Sequence, residues 1–275
     1  PAAVFFVCYR HWERWFQMEF NDGYSYEKSM GTWSALIGSH FIDWLKPPLG
    51  RKWLDVGCGN GAFSRLITVK TSPSSVVGID PSPEQVEFAK KRGLGSKTAF
   101  QVGDATNLHF NDDAFDVAVM ALVIFFLEDP PKGLCEMVRV AKPGGIVASC
   151  TWDVVNKGSP SSLISSHLSD MRYKPGSPPN PQVSEMTTLI DLWSAVGAAE
   201  ITAYPITVER SFKDIDEYWN ISSLFPNIQE IVPGLKGQEI KELKQRLEGS
   251  LERGSSGQLI QKATANAIKG IVVKS

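Results

Sequence analysis

The stretch Asp55-Val56-Gly57-Cys58-Gly59-Asn60-Gly61 constrains this chain more than any other. A short apolar run, Lys52-Trp53-Leu54-Asp55-Val56, leads into it, and apolar residues at helical spacing, Phe63, Leu66 and Ile67, follow. Three closely spaced glycines permit a backbone turn that side chains would block, and they let a ligand press against the main chain at a helix N-terminus. Strand, tight turn and helix in this order form the unit from which parallel sheets are wound.

The alternation repeats. Residues 75–79 read as a strand ending at Asp80, and 82–92 as a helix with Ser82 as N-cap and Pro83 in the first helical position. Residues 98–102 give a third strand ending at Gly103-Asp104, and 115–122 a fourth, nearly all apolar as a central parallel strand must be. A helix over 130–141 and the turn Lys142-Pro143-Gly144-Gly145 lead to a fifth strand over 146–152. The pattern predicts an α/β fold, a doubly wound, Rossmann-like, mostly parallel sheet of seven strands. The later elements are a helix over 185–196 stopped by Gly197, a strand over 200–208 and a final strand over 258–273. Between them, 156–182 is rich in Ser, Pro and Gly and reads as an insertion or flexible loop, while 213–253 reads as helical with a charged, solvated face.

Aromatic residues are unevenly spread: 12 of the 28 lie within residues 1–45. Phe5, Tyr9, Trp12, Phe16 and Phe20 fall on one helical face, and a second helix over 33–45 ends at Pro47-Pro48. The expected organisation is an N-terminal aromatic helical lid over 1–46 and a main domain over 47–275 with insertions near 156–182 and 213–255. The apolar start at Ala2 has neither a basic segment before it nor a small-residue cleavage site after it, and no stretch approaches the ~20 apolar residues of a spanning helix. Four scattered cysteines point to a reducing, cytoplasmic setting, and four scattered histidines give no metal-ligand spacing. A net charge of −2 supplies no attraction to nucleic acid or anionic lipid, so neither is expected as a partner.

Glycines alone cannot separate one nucleotide-like cofactor from another, since Gly57-x-Gly59-x-x-Ala62 also satisfies a loose dinucleotide fingerprint. The acids beside them are more selective. Asp55 is placed to meet a cationic amino group and would repel a pyrophosphate. Asp80, at the end of the second strand, suits two ribose hydroxyls. Asp104, after the third, suits an adenine amino group. Three strand-end acids favour a cationic adenosyl ligand over a phosphorylated one.

Taken together, Leu54 to Gly61, Gly78-Ile79-Asp80-Pro81-Ser82, Gly103-Asp104-Ala105, Phe115-Asp116-Val117 with Phe126-Leu127-Glu128-Asp129-Pro130, and Val140-Ala141-Lys142-Pro143-Gly144-Gly145 resemble the motifs of a known family. The sequence is similar to class I S-adenosylmethionine-dependent methyltransferases of the type 11, ubiquinone-biosynthesis-like group. The resemblance is strong over 50–152 and weaker over 185–210 and 257–273. It implies S-adenosyl-L-methionine as cofactor, S-adenosyl-L-homocysteine as product, and cofactor contacts at Asp55, Gly57, Cys58, Gly59, Asp80, Pro81, Asp104, Ala105, Ala121 and Leu122. Tyr26 and Trp33 belong to a segment that some relatives place over the methionine end.

The chain departs from the family pattern in its aromatic N-terminus and its Ser/Pro insertion. Phe125, Phe126 and Trp152 are candidate residues for the acceptor, expected to be a small, partly apolar molecule enclosed with the help of those two segments. Methyl transfer needs alignment and water exclusion more than a catalytic triad, so the catalytic group stays open, with Asp153, His167 and His11 as candidate bases. The expected protein is a monomer or homodimer. Two alternatives remain: a catalytically silent S-adenosylmethionine-binding or scaffold protein, and an NAD(P)-dependent oxidoreductase.

Overall fold

Apolar runs closed by turn residues become strands in the computed structural model, which describes residues 27–274. They are β1 (Lys52–Val56), β2 (Ser75–Asp80), β3 (Thr98–Val102), β4 (Phe115–Ala121), β5 (Ala141–Trp152), β6 (Ala198–Phe212), β7 (Glu252–Arg253) and β8 (Leu259–Val272). The helices are α1 (Thr32–Leu45), α2 (Ala62–Thr71), α3 (Pro83–Lys91), α4 (Pro130–Val140), α5 (Ser162–Asp170), α6 (Met186–Ala195), α7 (Ile215–Ser222), α8 (Pro226–Gln229) and α9 (Gly237–Ser250).

The strands join in the order β3-β2-β1-β4-β5-β8-β6, with the two-residue β7 paired to β8 off that path. Strands β1 to β5 run parallel to their neighbours, whereas β8 is antiparallel to β5. This is the doubly wound, Rossmann-like sheet read from the sequence. Its seven-strand path reverses direction between β1 and β4, the switch point at which folds of this kind bind ligands.

The pleat sorts the side chains. Leu54, Val56, Ala118, Met120, Val147 and Ile268 cluster with Leu134 and Met137 of α4 and Leu189 and Trp193 of α6. On the opposite face, Asp55 lies beside Val119, which in turn lies beside Ala148. There, the Ser64 hydroxyl of α2 bonds Asp55, and Lys269 of β8 donates to the Trp44 and Leu45 carbonyls at the end of α1. Helix α3 begins as its sequence predicts, with the Ser82 hydroxyl accepting the Gln85 N–H.

The backbone divides into two compact units. One holds 33–159, 180–208 and 262–275, and so contains α1, most of the sheet and the glycine turn. The other holds, among the described residues, 27–32, 160–179 and 209–261. In this second unit Ile164, Leu168, Phe225, Leu243 and Leu247 are fully buried, and Phe212 meets Tyr218 edge-on at 5.0 Å. The charged stretch 213–253 keeps its lysines and glutamates outside while Leu243 and Leu247, four apart, point in. Most of the aromatic N-terminus lies outside the described residues; its described helix, α1, packs in the sheet unit, where Phe41 meets Phe63 of α2 at 5.9 Å.

Three expectations need correction. Residues 156–182, read as an insertion or flexible loop, contain the helix α5, and a single-turn helix at Pro181–Ser184 begins at their end. The Ser and Pro count hid Ile164 and Leu168, an apolar pair at helical spacing. β5 starts at Ala141 instead of 146, because Lys142 to Gly145 remain in the strand through an irregularity opposite Phe115 and Val117, eased by Gly144 at φ +74°. β6 continues past 208 to Phe212.

Candidate functional site

The carboxyl edge of β1 and β2 is tied together by its own backbone. The N–H groups of Gly57 and Cys58 both donate to the Ile79 carbonyl at 2.8 Å, and Gly61 N–H donates to Cys58 O at 2.9 Å. Gly57 has φ +74°, and a Cβ there would sit 2.5 Å from the Val123 side chain, so the turn is packed as well as bent. Gly59 has φ +51° but nothing within 4 Å of a would-be Cβ. A glycine that packing does not require borders open space where a ligand can approach the main chain.

Asp80 occupies the end of β2. One oxygen accepts the Gly59 N–H at 2.9 Å and the other the Ser82 N–H at 3.0 Å. Each oxygen retains one acceptor site, enough for a pair of vicinal hydroxyls. Asp55 is 1% exposed and accepts the Ser64 hydroxyl at 2.6 Å. Ser64 was not singled out in the sequence, although its spacing to Ile67 and Thr71 marks the sheet-facing stripe of α2.

Burial pushes the Asp55 carboxyl up to about 7, against the lowering effect of the Ser64 hydroxyl, and Asp80 adds repulsion. Burial also raises Asp80, against the two N–H groups. These two carboxylates accept from a hydroxyl and from two backbone N–H groups, and a cationic ligand would offset their charge. Cys58 is buried, and burial followed by the charges of Asp55 and Asp80 drives its thiol upward, which disfavours the thiolate.

The Asp55 shift fixes a pH dependence. An acid whose folded value exceeds its unfolded value of 3.8 binds more protons when folded, so stability falls as pH rises from about 4 through 7. Asp55→Asn removes this term. By thermal unfolding without ligand, wild type is expected to match Asp55→Asn near pH 4 and to fall behind it by pH 8, with a gap of order 4 kcal/mol at a full three-unit shift. Parallel curves for the two proteins would show that Asp55 is not strained.

The other expected residues fall at neighbouring strand ends. Gly103 N–H donates to Asp80 O at 3.1 Å, which sets the Asp104 segment beside β2. Both Asp104 oxygens accept from Thr106, whose N–H lies at 2.8 Å, and Ala105 is buried in the core. Ala121 ends β4, and Leu122 follows at φ +62°, its N–H donating to Cys150 O at 2.7 Å. A left-handed leucine at the switch point is strain of the kind that collects at functional sites.

Phe125 and Phe126 lie in the next turn, edge to face at 4.4 Å. Trp152 ends β5, 3% exposed, its indole nitrogen without a hydrogen-bond partner. Trp33 is fully buried in the first turn of α1, and no hydrogen bond ties its indole nitrogen to the glycine turn. Tyr26 and His11 lie outside the described residues. Of the other candidate bases, Asp153 accepts from Asn156, and His167 lies 3.0 Å from the Ser250 hydroxyl in the second unit. Among the described residues no cluster of His, Cys, Asp and Glu could hold a metal, and no helix is long and apolar enough to cross a membrane.

Residues 54–149 match the family described as "Methyltransferase domain". The chain is 40% identical over 108 residues to a demethylmenaquinone methyltransferase of Bacteroides fragilis, an overlap of 38% of this chain and 44% of that protein. It thus spans under half the length of that curated relative. Among solved structures, the YcgJ protein of Bacillus subtilis superposes with a TM-score of 0.58 at 19% identity, covering 87% of this chain and 99% of that one. Phosphoethanolamine N-methyltransferase 2 of Haemonchus contortus, solved with S-adenosyl-L-methionine, gives 0.54 at 16% identity, covering 94% and 60%. These two likenesses concern the fold. Strand-end acids, glycine turn, sheet order and family match agree: residues 54–149 are similar to the methyltransferase domain family, on a doubly wound, Rossmann-like fold.

Proposed function

We propose that the chain transfers a methyl group from S-adenosyl-L-methionine to a small-molecule acceptor. The observation that carries this reading is the buried Asp55 and the half-buried Asp80, both raised by desolvation, beside the open backbone at Gly59. A ligand with a cationic amino acid end and a ribose fits it, whereas a pyrophosphate would meet a buried carboxylate. The bound cofactor supplies a methyl carbon on a positively charged sulfur, open to in-line attack.

The chain's part is binding and alignment. Asp80 holds the ribose with its two remaining acceptor sites. Asp55 attracts the cationic end. Gly57, Cys58 and Gly59 offer main chain without side-chain obstruction, and Pro81, Asp104 and Ala105 border the adenine. Ala121 and the strained Leu122 face the reacting end, and Trp33 is assigned to the methionine portion. Phe125, Phe126 and Trp152 line the acceptor side and exclude water, so that proximity supplies most of the rate gain, roughly 7 to 11 kcal/mol in well-aligned systems. The acceptors named for relatives, a demethylated menaquinone and phosphoethanolamine, differ too much in chemistry for either to be carried over. A monomer or homodimer working in the cytoplasm completes the reading, and the free, buried Cys58 and Cys150 support such a reducing setting.

Titration calorimetry with S-adenosylmethionine, S-adenosylhomocysteine and NAD tests the cofactor. Binding of the first two is expected, and binding of NAD alone would overturn the proposal. Incubation with a labelled methyl donor and a metabolite extract then separates an enzyme from a silent binder. A labelled product below 1 kDa is expected; cofactor binding without any labelled product would favour the silent scaffold.

A further inference from the structure

Helix α4 carries Gly133, Glu136 and Arg139 at intervals of three, and therefore on one face. That face meets the connection between β3 and β4, which begins with Gly103, Asp104 and Ala105. A Cβ on Gly133 would lie 2.6 Å from Leu127 and 3.8 Å from the Ala105 carbonyl, so the glycine lets the helix come close. Two turns on, Arg139 uses all five of its N–H donors. Nε and Nη2 donate to the two Glu136 oxygens at 2.7 and 2.8 Å, and Nη2 also to the Leu108 carbonyl at 2.8 Å. Nη1 donates to the Phe110 carbonyl and to Asp112, both at 2.8 Å. Glu136 completes the arrangement by accepting the Leu108 N–H at 2.7 Å.

Leu108 is thus held by both its N–H and its carbonyl, and Phe110 by its carbonyl. At the other end of the connection, the Thr106 N–H and hydroxyl hold the Asp104 carboxylate. Between these anchors the backbone has no ladder to fix it beyond one bridge from Asp104 to Asn107. The pairing is strong enough to pull Glu136 below the ordinary glutamate range, chiefly through Arg139, and to push Arg139 upward.

We propose that Glu136 and Arg139 are positioning residues that hold the Asp104–Ala105 segment and thereby set affinity for the adenosyl half of the ligand. The inference rests on the functional reading above. Neither residue touches the ligand; each acts through the Leu108 backbone. An arginine is required because its planar fork serves two carboxylates and two carbonyls at once, which a lysine ammonium cannot.

The test uses the full chain as wild type, Arg139→Lys and Glu136→Gln/Arg139→Met. The double variant removes both charges together and leaves no buried carboxylate unpaired. Calorimetric titration with S-adenosylhomocysteine and with adenosine is run where circular dichroism shows each protein folded. Both variants are expected to bind both ligands about tenfold more weakly, a change of about 1.4 kcal/mol. Leu108 amide exchange is expected to quicken while β1 amides stay as in wild type. Arg139→Lys, which retains a charge opposite Glu136, is expected to recover melting temperature without recovering affinity. Affinities within twofold of wild type would overturn the inference, as would affinity that returns with melting temperature in Arg139→Lys, the behaviour of a merely structural pair. Wild type that binds neither ligand would overturn the functional reading and this inference with it.

Discussion

Asp80→Ala is expected to lower affinity for S-adenosylhomocysteine by roughly a hundredfold or more, from the loss of two charge-assisted hydrogen bonds at about 1.5 to 3 kcal/mol each. The alanine also orphans the N–H groups of Gly59 and Ser82, which Asp80 holds at 2.9 and 3.0 Å. The turn thereby loses a brace at the point where the ligand approaches it. Asp80→Asn separates the two contributions. Its amide has one acceptor oxygen and must give up one of the two N–H groups, so binding is expected between wild type and alanine, with less loss of stability. Titration calorimetry and thermal unfolding on the three proteins check this. Equal affinity in wild type and Asp80→Ala would remove the residue from the site.

A second contrast, between Gly57 and Gly59, separates packing from binding. Gly57→Ala places a methyl group 2.5 Å from Val123 at φ +74°. Left-handed strain of about 1 to 2 kcal/mol and overpacking of about 1 to 3 kcal/mol together reach, at their upper end, the roughly 5 kcal/mol stability of a marginal domain. Loss of the folded state, or a large drop in melting temperature, is expected. Gly59→Ala incurs the strain alone, since nothing lies within 4 Å of the new methyl. It is expected to fold and yet to bind S-adenosylhomocysteine at least about tenfold more weakly, because the methyl group occupies ligand space. Unfolding curves and titrations on both variants decide. Normal binding by Gly59→Ala would mean that the open space is not where the ligand lies.

Much of the sheet was legible because its code is short-range. Parallel strands covered on both faces read as apolar runs, and Ser82-Pro83 or Gly197 mark helix ends through side chains that cap or permit them. The predicted 98–102 and 52–56 coincide with β3 and β1. Composition misled where it was read without spacing, as in 156–182, where Ile164 and Leu168 anchor a helix among serines and prolines. Asp55, Asp80 and Asp104 stood out as acids following strands. Their partners did not: Ser64, Val123, Glu136 and Arg139 are ordinary in sequence and become particular through what lies opposite.

The sequence by itself determined the order of strands and helices, the glycine turn and the acids along one edge, because each is written in neighbouring residues. Only the tertiary structure decided which glycine is closed and which is open, that Asp55 is buried against the Ser64 hydroxyl, and that Arg139 reaches a loop about 30 residues before it. Those properties depend on long-range approach, and distance along the chain carries no record of distance in space.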